Sequence, residues 1–116
     1  MTTQTTRHLL TETIIDELQL LPELLRKAEM RYYGAQHALA EKRGRLADAE
    51  SAWPLTDAAP YNDEAARLAA FRAYTGPLHA DIRQAQAEVD RLKAEVDFLL
   101  RRHDNYRVMA TLLSNG

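Results

Sequence analysis

Two pairs of side chains at helical spacing are the first candidates for chemistry: His8 with Glu12, and His37 with Glu41, each four residues apart. Residues i and i+4 share a helix face, so each pair offers a metal two ligands. A structural or catalytic site needs three or four, with orienting neighbours, and the Glu-x-x-His pairs of carboxylate-bridged bundles are absent. Solvated helix-face pairs are therefore expected, and no metal or other cofactor is assigned. Ser51 and Ser114 stand alone, without a Gly-containing elbow, so no nucleophile set emerges. Gly34, Gly44, Gly76 and Gly116 are scattered and build no phosphate loop. No catalytic residue is assigned, and the chain is read as non-enzymatic.

Binding chemistry has two candidates. Arg26, Lys27 and Arg31 precede Tyr32 and Tyr33, while Arg101, Arg102 and Arg107 surround Tyr106. Cations beside aromatic rings suit single-stranded nucleic acid, where phosphates take the charge and bases stack. Antiparallel pairing of the helices would bring the two windows together at an open end, with Tyr33 as the aromatic candidate. Against this, Glu23, Glu29, Asp97 and Asp104 dilute both windows, and Tyr32 and Tyr106 fall on core positions. An ordinary solvated face is the favoured account, with nucleic-acid binding as the alternative. The second candidate is the bulky group Trp53, Leu55 and Tyr61 beside Pro54. It either caps the end of a bundle or anchors a protein partner, since such residues dominate interface energies.

The elements that must position these residues are written in two heptad runs. Ile14, Leu18, Leu21, Leu25, Ala28, Tyr32, Ala35, Leu39, Lys42, Leu46, Ala49 and Trp53 follow at steps of 4 and 3, and so do Leu78, Ile82, Ala85, Val89, Leu92, Val96, Leu99, His103, Tyr106, Ala110 and Leu113. Alternating steps average 3.5 residues, which holds one stripe against a partner helix in a left-handed supercoil. Lys42 and His103 interrupt the stripes as polar residues, a device that specifies register at some cost in stability. A buried His103 would make assembly pH-dependent.

Local signals predict where these helices stop. Pro22 lacks the donor a helix interior needs, so a kink or a separate short helix is expected there. The stretch 53–61 holds two prolines and no apolar period, and reads as a loop. Asn62 offers a cap, with Asp63 and Glu64 in the first turn. Thr75-Gly76-Pro77 reads as a stop and restart. The expected order is a disordered tail 1–6, a short helix 7–20, a long helix 22–52, the loop 53–61, a short helix 62–74 and a long helix 77–113, in a single domain.

Composition agrees. Ala, Glu, Lys, Leu and Arg make 60 of 116 residues, while Ile and Val total six, which favours long helices and leaves a sheet without its β-branched residues. A net charge of −2, from 15 basic and 17 acidic side chains, excludes both a strongly basic DNA-coating protein and an acidic DNA mimic. Without cysteine there is no disulfide framework and no thiolate site. No stretch nears the ~20 apolar residues of a membrane span, and Met1 to Thr6 lack the order of a signal peptide. A cytosolic protein without membrane attachment is expected.

The segment Asn62-Asp63-Glu64-Ala65-Ala66-Arg67, followed by an Ala-rich helix and a heptad helix ending in Arg-rich turns, resembles a pattern in small, mostly uncharacterised phage and prophage helical proteins. Asn62 and Arg67 match that pattern, as does the character of the helix from Ala85 to Arg102. Pro60-Tyr61 departs from its usual Gly-Lys, and the first 55 residues offer little to compare. The resemblance covers about half the chain and implies phage-like origin without a named activity.

The expected fold is all-α: an antiparallel helical hairpin or coiled coil with a short intervening helix, assembled into an oligomeric bundle. A lone helix pair buries too little at this size, so a homo-oligomer, dimer or higher, is expected. Its core is assigned to Leu18, Leu25, Leu39, Leu46, Ile82, Val89, Leu92, Val96, Leu99 and His103. Ile or Val at one core position of the last helix with Leu at the other favours parallel dimers, with Glu88 and Lys93 placed to pair across them. The expected function is non-enzymatic: the oligomer binds or inhibits a protein partner. The alternative is a nucleic-acid-binding accessory in replication, recombination or repair.

Overall fold

Leu- and Ala-rich heptads with few β-branched residues fold as the composition demands. The structure, a computed structural model, describes residues 2–56 and 63–115, with side chains from 5 to 53 and from 63 to 115. It contains two α-helices, α1 (Thr2–Thr56) and α2 (Glu64–Asn115), and no strand among the described residues. Neither helix is long and apolar enough to cross a membrane.

Both helices run through signals that read as breaks. α1 begins at Thr2, inside the segment expected to be a tail, passes Pro22 without ending, and takes in Trp53 to Thr56 from the expected loop. The rest of that loop lies outside the described residues. α2 passes Thr75, Gly76 and Pro77, so the short helix 62–74 and the long helix 77–113 are one element. No glycine or other described residue takes a positive φ, and Gly76 is helical rather than a left-handed stop. The physical reason is the heptad itself: Phe71 and Thr75 extend the stripe of Leu78 and Ile82 backwards at steps of 4 and 3. Thr75 is buried at 2% exposure, and its hydroxyl donates to the Phe71 carbonyl at 3.0 Å. Pro22 and Pro77 both lie at exposed positions, so neither ring intrudes on the packed seam, although each removes one helical donor. The start of α2 is capped by Asp63, whose Oδ1 accepts from the Ala66 N–H at 2.7 Å. That is the third helical position, where a capping oxygen satisfies an orphan donor. Asn62, the expected cap, lies outside the described residues.

Two compact units divide the chain, each a pair of helix segments. Unit 1 joins residues 1–32 to 91–116, and unit 2 is residues 33–90. In heptad letters, Ile14, Leu21 and Ala28 take position d and Leu18, Leu25 and Tyr32 take a; on α2, Leu92, Leu99 and Tyr106 take d and Val96 and His103 take a. The core of unit 1 is Leu21, Ala28, Val96 and Leu99, with Leu24, Leu25, Tyr32 and Tyr106 packed against it. Cross-helix polar pairs fix the direction. Arg102 bonds Glu17 and Arg31 bonds Glu95, each joining position g to position g. In unit 2, Arg43 donates to Gln86 at 3.0 Å, joining e to e. Like-to-like flanks belong to antiparallel coiled coils, whereas parallel helices join g to e. Each unit is therefore an antiparallel pair formed within one chain.

Candidate interaction surface

The aromatic group at Trp53 was the first protein-binding candidate, and the structure places it inside unit 2. Trp53 is half-buried, its ring edge-on to Phe71 at 5.7 Å and tilted against Tyr74 at 5.0 Å. Edge-on and offset contacts at such distances add stability beyond area burial. Phe71 and Tyr74 were missed because they precede the supposed stop at Gly76; the step of 4 from Phe71 to Thr75 was the available signal. The Leu55 side chain and the whole of Tyr61 lie outside the described residues.

The nucleic-acid candidates are dispersed, and three of them stand in ion pairs. Arg26 pairs with Glu23 at 2.8 Å on its own helix, and Arg31 with Glu95 at 2.7 Å. Hydrogen bonding and charge from Arg26 hold the exposed Glu23 carboxyl below its ordinary value, and the same contact raises Arg26. Arg102 is held by Glu17. Lys27, Tyr33, Arg101 and Arg107 are exposed, but they fall at positions c, b, f and e, on different faces of their helices. The two windows do not meet at an open end: Arg31 faces Glu95, while Arg102 faces Glu17. The expected alignment was offset because α1 starts at Thr2 and α2 ends at Asn115, which carries the open end of the pair beyond both windows; there Arg7 donates to the Leu113 carbonyl.

The histidine pairs are ion-pair geometry on open helix faces. His8 lies 3.2 Å from Glu12 and His37 3.1 Å from Glu41, all four side chains well exposed. Among the described residues no group of three metal-ligating side chains converges.

The residues assigned to an oligomer core fill the chain's own seams instead. Leu39, Val89, Leu92, Val96 and Leu99 are buried, while Leu18, Leu25, Leu46, Ile82 and His103 are half-buried. Two stripes of similar length on one chain meet at high effective concentration, and intrachain pairing occupies them. In unit 2 the seam carries Ala35, Ala38 and Ala85, whose small side chains leave a groove of about 350 Å³ bordered by Lys42 and Glu88.

What remains exposed is informative. Of thirteen large apolar side chains exposed among the described residues, ten lie in unit 1. Leu10, Leu20, Phe98, Met109 and Leu112, with half-buried Leu24, occupy positions g and c and so share one flank of the helix pair. Phe98, Arg102, Tyr106 and Met109 border a groove of about 390 Å³ there. The opposite flank, positions e and b, offers only Ile15 and Leu100 as large exposed aliphatic side chains among the described residues of this unit. At the g row the charges are matched across the seam, Glu17 by Arg102 and Glu95 by Arg31. An apolar third stripe beside a and d is what a bundle-forming helix carries, beyond the narrow seam of a two-stranded coil.

No protein-family model matches the chain, and no curated protein or solved structure matches it either.

Proposed function

We propose that this protein is a non-enzymatic coiled-coil interaction module that self-associates and binds or inhibits a protein partner. The observation that carries this reading is the apolar flank of unit 1, on which Phe98 and Leu112 stand 56% and 67% exposed, while the g-row charges Glu17 and Glu95 are paired with Arg102 and Arg31. Exposed contiguous apolar surface on a monomer marks an interaction site. The long helices serve as a scaffold that holds this flank in a fixed row, since side chains at g and c recur along one edge of the pair. The Trp53 cluster belongs to the scaffold in this reading, and a phage-like origin rests only on the resemblance around Asn62 and Arg67.

Sedimentation equilibrium of the full chain tests the self-association. A mass above 13.2 kDa that rises with concentration supports the module. Anisotropy titrations of labelled single- and double-stranded DNA, at about 50 and 200 mM salt, test the rival, because phosphate-driven binding falls by orders of magnitude over that range. A strictly monomeric protein with saturable, salt-sensitive DNA binding overturns the reading in favour of a nucleic-acid accessory.

A further inference from the structure

We propose that a second copy of this chain covers the flank of unit 1 built by Leu10, Leu20, Phe98, Met109 and Leu112, so that two antiparallel pairs close into a four-helix bundle across it. This rests on the self-association proposed above and names the surface and the occupant.

Three observations favour a second copy. The first is apolar surface: five large apolar side chains stand exposed on this flank of unit 1, against two described on the opposite one, and such a stripe is what one helix pair presents to another in a bundle.

The second is charge. Charged groups can enter an interface only if they are paired. On this flank Glu17 is held by Arg102 and Glu95 by Arg31, with the Glu17 side chain only 19% exposed before any partner arrives. The g row therefore presents neutral pairs, each ready to be covered without orphaning a charge. Such a row is compatible with an identical row related by a two-fold axis, where every contact is made twice.

The third is shape. The row is not flat: Phe98, Tyr106 and Met109 line a groove of about 390 Å³ together with Arg101, Arg102 and Asn105. Exposed leucines from the same row of a second copy are knobs suited to such a hole, the packing mode of bundles. Leu20 and Leu112 are 52% and 67% exposed and have the reach.

The test uses the full chain. Sedimentation equilibrium between about 1 and 100 µM brackets interfaces of ordinary strength. The wild type is expected at twice 13.2 kDa at the upper end. Phe98→Glu with Leu112→Glu is expected to weaken the dimer by at least about 100-fold, since each charge would be buried without a partner, while helical circular dichroism is retained. Leu100→Glu, on the opposite flank, is the control and should leave the dimer intact. A second readout avoids disrupting variants: the chain has no cysteine, so Asn105→Cys and Gln19→Cys each place one thiol, on the proposed flank and on the opposite one. Alkylation by a bulky maleimide should slow with rising concentration at Asn105→Cys and stay constant at Gln19→Cys. A dimer that survives the paired glutamates, or protection at Gln19→Cys in place of Asn105→Cys, overturns this surface while leaving self-association standing. A wild type that stays monomeric throughout overturns both.

Discussion

Arg102 on α2 spans the seam of unit 1 to Glu17 on α1, where its Nη2 donates to both carboxylate oxygens, at 2.7 Å to Oε1 and 2.5 Å to Oε2. The two residues stand 85 apart in sequence and both occupy position g. A g-to-g bridge exists only when the helices run in opposite directions, so this one contact carries the topology of the unit.

That bridge should be worth more than an ordinary surface pair. Glu17 and Arg102 are 19% and 34% exposed, so water screens them only in part. A double-mutant cycle with Glu17→Gln and Arg102→Met, read by urea unfolding, should return a coupling of about 1 kcal/mol, near the upper end for exposed pairs. The same cycle on Glu23 and Arg26, an open pair within one helix, should give a distinctly smaller coupling, because water screens both groups. Equal couplings would mean that the bridge across the seam has no special standing.

Glycine substitutions should stabilise the chain. Gly34, Gly44 and Gly76 are helical without positive φ, and a Cβ built at each meets nothing within 4 Å. Alanine at such a site lowers the entropy of the unfolded chain and suits the helix, a gain of roughly 0.5–1 kcal/mol each. Thermal unfolding of the triple variant should rise by several degrees. If Gly76→Ala alone destabilises, α2 is not continuous through Pro77.

Much of the fold was legible in the two heptad runs, for a definite physical reason. Burial follows the 3.5-residue period, and every residue of both runs, from Ile14 to Trp53 and from Leu78 to Leu113, is buried or half-buried. The helix limits were less legible. A mid-helix proline costs about 3 kcal/mol, and by local signals alone Pro22 and Thr75-Gly76-Pro77 read as breaks. A long stripe distributes that cost over many core contacts, and Leu21 and Thr75, fully or almost fully buried beside the two prolines, anchor the turns. The flank of Leu20, Phe98 and Met109 was not legible at all. Apolar residues at c and g acquire meaning only once the a and d seam is known to be filled by the chain's own second helix.

Acid should release one local contact in a predictable order. Arg26 holds the Glu23 carboxyl below its ordinary value, by hydrogen bond first and by charge second. A lowered carboxyl stabilises the folded state fully above the ordinary value, and that contribution fades as pH falls through the depressed one. In a carbon-detected NMR titration Glu23 should therefore titrate at lower pH in the wild type than in Arg26→Gln. High salt should narrow the difference, because both side chains are exposed. An unchanged midpoint in Arg26→Gln would assign the shift to some other neighbour.

The lone tryptophan separates scaffold from docking site. Trp53 stacks against Phe71 and Tyr74, and truncating a half-buried ring that bridges two helix segments should cost about 2 kcal/mol, below the 3–5 kcal/mol of a fully buried one. Trp53→Ala should accordingly lower the urea midpoint, whereas Trp53→Phe should recover most of the loss by keeping an edge-on partner for Phe71. Emission from Trp53, the only tryptophan in the chain, should shift to longer wavelength with the same midpoint as the helical signal. Addition of a protein partner that docks on unit 1 should leave that emission unchanged. A Trp53→Ala protein as stable as the wild type would instead return this ring to the role of an exposed anchor, and the apolar flank of unit 1 would then have a competitor as the contact surface.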